Sequence, residues 1–162
     1  MAYAESPATN REAQLRKALA AFDVAAGIFD PRMDPVEHAR VLNGAGAAHR
    51  ALGDRRKAVS LFTKAAELFE GREREDELAS ALSNMGLVRT ELGDADAAVE
   101  AFDRAASLFD VTSDNGRRGW LATVLNRGQA HAAKGTAEGL EAALEDYETA
   151  EAELDVDEAP YH

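Results

Sequence analysis

Two asparagines 42 residues apart, Asn84 and Asn126, occupy the same place in two similar stretches, ALSNMGLVRTELGD (81–94) and TVLNRGQAHAAKGT (123–136). An amide side chain donates and accepts hydrogen bonds at once, as pairing with a peptide main chain requires. Asn43 lies in a third related stretch, VLNGAGAAHRALGD (41–54), one residue out of register with the other two. Arg40 and Arg50 flank it, and arginine forms charge-assisted pairs with carboxylates. For covalent or acid–base chemistry the chain is poorly equipped. It has no cysteine and no HExxH, GxSxG, P-loop or dinucleotide fingerprint. Its 30 Asp and Glu are so dense that a carboxylate pair on one helix face is expected by chance. The reading is a non-enzymatic protein with no cofactor and no metal.

Charge narrows the partners. With 18 Lys and Arg the formal net charge is −12, and nucleic-acid affinity rests on basic side chains neutralising phosphates. The same repulsion disfavours anionic membranes, whereas a neutral or basic protein partner is easily accommodated. The first residues, MAYAESPATNREAQ, have neither a positive n-region nor an apolar core. No run of apolar residues approaches the length of a membrane span. The expectation is a soluble cytoplasmic protein.

The elements that must position these side chains repeat. RKALAAFDVAAGIFD (16–30), RKAVSLFTKAAELFE (56–70) and DAAVEAFDRAASLFD (96–110) align at a spacing of 40 and contain all six phenylalanines. In each, apolar residues recur at i, i+3, i+6, i+7 and i+10, one stripe of a helix. A fourth copy, shifted by 45, carries Leu144, Tyr147, Ala150 and Leu154. The preceding stretches share Gly46, Gly86 and Gly128 inside a helical pattern, where glycine costs about 1 kcal/mol relative to alanine. That recurrence predicts a close backbone contact with a neighbouring helix. Gly53, Gly93 and Gly135 follow the helix and suit a left-handed C′ position. Asp54, Asp94 and Thr136 then stand where they can cap the next helix. Further helix starts are predicted at Asp34-Pro35 with Glu37, at Thr9 with Glu12, and at Ser113 or Asp114.

These residues resemble the tetratricopeptide repeat. Its pattern of a glycine in helix A, a glycine at the turn and Ala-Phe-Ala in helix B is matched by Gly46, Gly53, Ala58, Phe62 and Ala65. Gly86, Gly93, Ala98, Phe102 and Ala105 match it again, as do Gly128, Gly135, Ala143, Tyr147 and Ala150. The resemblance covers roughly residues 14–155. The family's helix-A tyrosine is replaced by His49, Arg89 and His131, and the period exceeds the usual 34, as in the longer repeats of kinesin light chains. It implies an all-α, right-handed α-solenoid of antiparallel helix pairs with about seven helices. Residues 1–160 would form one domain: a half repeat (9–30), then repeats at 35–70, 74–110 and 115–155, with an acidic tail at 156–162. The phenylalanines are expected to pack between successive pairs. Glu151 and Glu153, at the places of Ala106 and Leu108, predict a polar outer face on the last helix. His49 and His131 are two repeats apart; with neighbouring helices about 8–10 Å apart they cannot share a metal, and a packing role is expected. Trp120 is expected to anchor the core or a junction.

The resemblance also implies that helix A lines a concave, peptide-binding groove. Its positions here are Arg40, Asn43, Gly44, Ala47, Arg50 and Ala51; then Ser80, Ser83, Asn84, Leu87, Thr90 and Glu91; then Ala122, Leu125, Asn126, Gln129, Ala132 and Ala133. The groove residues of interest are Arg40, Asn43, Arg50, Ser83, Asn84, Leu87, Glu91, Asn126 and Gln129. Their surroundings are small and amide-rich, and all the groove positions together sum to +1 in a chain of −12. The function expected is an adaptor or scaffold holding a peptide or helix of another protein. The alternatives are a self-associating module, a homodimer through the first helix, and a regulatory sensor or antagonist of another effector.

Overall fold

The computed structural model describes residues 7–158, which form seven helices: α1 (Pro7–Ile28), α2 (Pro35–Ala51), α3 (Arg55–Phe69), α4 (Glu75–Glu91), α5 (Ala95–Leu108), α6 (Asp114–Ala133) and α7 (Ala137–Glu158). The chain divides into two compact units, residues 1–72 and 73–162. In the first, α2 packs on both α1 and α3; in the second, α4 pairs with α5 and α6 with α7, while α6 also touches α5 and α4.

The turn inside each pair is set by its glycine. Gly53, Gly93 and Gly135 have φ of 83°, 81° and 67°. In the first pair the Gly53 amide donates to the Arg50 carbonyl and the Asp54 amide to that of His49, both at 2.9 Å. The second pair repeats this with Gly93 to Thr90 and Asp94 to Arg89. This is the double closure that satisfies a helix's last carbonyls only when C′ is left-handed. Gly93→Ala is therefore expected to cost about 1–2 kcal/mol through the left-handed backbone, read as a lower urea midpoint with unchanged slope.

The caps are met unevenly. Asp54 accepts from the Lys57 amide, Ser113 from Gly116 and Thr136 from Gly139. Asp34 and Asp94 stand at N-cap positions without a side-chain cap bond. The Asp94 carboxylate lies 3.4 Å from Arg89 instead. Thr9, a predicted cap, falls within α1. Between pairs, Asp30 accepts from the Arg32 amide, and Asp110 accepts from the amide and hydroxyl of Thr112. Those Thr112 bonds hold the Asp110 carboxyl below its ordinary value.

The mid-helix glycines do not meet another backbone. A Cβ on Gly46 would come within 2.8 Å of the Phe62 ring, on Gly86 within 2.8 Å of Phe102, and on Gly128 within 2.7 Å of Tyr147. Each ring lies against the glycine of its own helix A. These aromatics therefore lock each pair internally, and Phe102 also joins successive pairs as expected, sharing a core with Ala130 of α6. Phe109 joins pairs too, since its ring lies against Gly119 of α6. Phe22 has no helix A of its own among the described residues and rests on Gly44 of α2. Phe62 and Phe102 are fully buried, whereas Phe22 is half-buried.

The last helix differs from expectation too. It runs to Glu158, past the predicted end at 155; residues 159–162 of the expected tail lie outside the described residues. Its outer face is mixed rather than polar. Glu153 turns back toward Arg117 of α6, at 3.7 Å, while Leu140, Leu144 and Leu154 stay exposed.

Candidate protein-binding face

None of the groove positions is buried. In the first unit they run along α2: Arg40 and Ala47 are exposed, and Asn43 and Arg50 are half-buried. Arg40 pairs with Glu37, one turn earlier, at 2.7 Å, a surface pair of little stabilising effect. Gly44 is overlaid by Phe22, so α1 reaches onto the edge of this face.

In the second unit α4 and α6 lie side by side and bring their positions together. Ser83 and Thr123 hydroxyls meet at 3.0 Å. Thr123, fully buried, donates to the Gly119 carbonyl, so Ser83 is the donor to Thr123 and its hydroxyl holds the two helices together. Ser80 and Thr90 donate to the carbonyls of Asp76 and Gly86 on their own helix. Leu87 leans onto the core formed by Ala98, Phe102 and Ala130. Asn84 and Asn126 are half-buried, and Gln129 and Glu91 exposed.

His49, Arg89 and His131 are polar side chains that reach across their pairs. His49 lies 3.4 Å from Asp54, and Arg89 the same distance from Asp94. His131 approaches Asp146 at 4.0 Å. No group of His, Asp and Glu suited to a metal occurs among the described residues. His38, given no role from sequence, donates Nδ1–H to the Phe29 carbonyl at 2.7 Å, tying α2 to the end of α1.

Sequence reasoning missed a buried ion cluster in the third pair. Arg127 of α6 engages Asp146 of α7 through Nε, at 3.1 Å to both oxygens, and through a terminal nitrogen. Its other terminal nitrogen donates to Asp103 of α5 at 2.6 Å. Asp146 is almost fully buried. The bonds to Asp146, then Asp103, raise the Arg127 pKa further. At the same registers the second pair carries Met85 and Ala101. Nearby, Lys134 reaches Asp96 of α5 at 2.7 Å and depresses its carboxyl.

Residues 37–110 match the family model of the tetratricopeptide repeat. Among solved structures, the chain is similar to BtubC (BKLC) from P. vanneervenii, with a TM-score of 0.78 at 19% identity. The likeness covers 93% of this chain and 60% of that one, so this chain spans about three fifths of that protein's length. No curated protein matches the sequence. The fold is an all-α solenoid of tetratricopeptide type. Repeats of this kind generally mediate protein–protein interactions. No helix of the described residues is long and apolar enough to cross a membrane.

Proposed function

Taking the tetratricopeptide-type repeats of residues 37–110 as premise, we propose that the chain is a non-enzymatic adaptor that binds a peptide or helical segment of another protein on its helix-A faces. The observation that carries this is the absence of any buried side chain among the groove positions of either unit, with Arg40 and Arg50 the charged positions in the first and Glu91 in the second of a chain of −12. Asn84 and Asn126, on the neighbouring helices α4 and α6, are the amides best suited to a partner's main chain. Arg40 and Arg50 offer charge to a partner carboxylate in the first unit. Asn84→Ala and Asn126→Ala should each weaken partner capture about tenfold, one or two main-chain hydrogen bonds, with helicity unchanged. Isothermal titration with the captured partner reads this, and unchanged affinity in both variants rejects the groove.

A second reading is favoured by one contrast. Ala18, Phe22 and Ala25 of α1 are half-buried, while Ala58, Phe62 and Ala65 at the same registers of α3 are fully buried. An apolar stripe left partly uncovered invites a second copy. Light scattering across concentration decides: a strict monomer removes this reading.

A further inference from the structure

The outer face of α7 carries Leu140, Leu144, Tyr147 and Leu154 along one stripe, 57%, 57%, 38% and 49% exposed. From this stripe we infer that α7 seats a basic amphipathic helix of a partner protein. The proposal rests on different residues from the groove. The registers that match the stripe on α5 are Ala95, Val99, Phe102 and Phe109. On α5 this face is covered by α6, whose Gly119 lies under Phe109 and whose Ala130 shares with Phe102 the core against which Val99 packs. The repeat itself thus says what fits: an antiparallel helix with small residues at i and i+11, three turns apart on one face. The charge says which kind. The α7 sequence contains ten carboxylates and no lysine or arginine. Glu151, exposed, sits within the stripe at the register of Ala106, and Glu141 and Glu148 border it. A helix lying here must bring cations beside its small-residue seam. A second copy pairing through α7 would set these carboxylates against one another.

The test is a fluorescence-anisotropy titration of the full chain with a labelled peptide of about five helical turns, alanine along one face and lysine along the other. An isomer of the same composition with the alanines scattered is the control. The amphipathic peptide is expected to bind about tenfold or more tightly than its isomer. Leu144→Ser, at a side chain exposed enough to leave folding intact, is expected to weaken it by about the same factor, the loss of one buried leucine. Asn126→Ala leaves it unchanged. Equal binding of the two isomers reduces the effect to charge attraction and overturns the proposal. So does full binding by Leu144→Ser, or a dimer in sedimentation velocity that Leu144→Ser abolishes.

Discussion

Replacing Arg127 with methionine is expected to destabilise the second unit by about 3 kcal/mol, because it leaves Asp146 buried without its cation. Arg127 keeps 24% of its side chain in water and Asp146 only 7%, so the loss falls at the lower end of the range for broken buried pairs. Asp146→Ala is expected to cost less, about 1–2 kcal/mol, since Arg127 still holds the exposed Asp103. The double variant, Arg127→Met with Asp146→Ala, recreates the Met85 and Ala101 of the second pair and is expected within about 1 kcal/mol of the wild type. Urea unfolding of the four proteins closes the cycle. Additive losses in the double variant count against a coupled pair.

The second large effect is at Phe102. Truncation to alanine removes a fully buried ring and is expected to cost about 3–5 kcal/mol. Phe22→Ala, at the matching register of α1 but half-buried, is expected to cost about 1–2 kcal/mol. The ring also controls what its glycine tolerates. Gly86→Ala places a methyl within 2.8 Å of the ring, an overpacking expected to cost about 1–3 kcal/mol. In the Phe102→Ala background that clash is gone and only the helix propensity of alanine remains, worth about 1 kcal/mol. The same substitution should thus change sign between backgrounds. A Gly86→Ala that destabilises both equally would mean that the ring is not what excludes a side chain there.

The repeat was legible because side-chain registers are printed directly in the spacing of glycine, alanine and phenylalanine, and the helix boundaries followed within a few residues. The left-handed glycines were legible because only one residue type fits them. That Phe62 and Phe102 also rest on the glycines of their own pairs was not, since spacing gives the face of a helix but not every neighbour that meets it. The Arg127–Asp146 pair was invisible for a different reason. Its members are 19 residues apart in a sequence where a carboxylate stands near almost every position, so no spacing marks it. Asp94 illustrates the limit of cap signals: the right residue stands at the right place, but its carboxylate turns to Arg89. For the groove, the sequence offers an expected face and the amides on it. A partner's chemistry is written in the partner.

The ion cluster of the third pair also constrains the route by which one repeat can turn into another. Starting from methionine and alanine, an aspartate arriving first would be sealed between helices without a counter-charge, an intermediate several kcal/mol less stable. An arginine arriving first could keep its head at the surface beside Asp103 while its stem covered the apolar floor. Only the second order avoids that less stable intermediate.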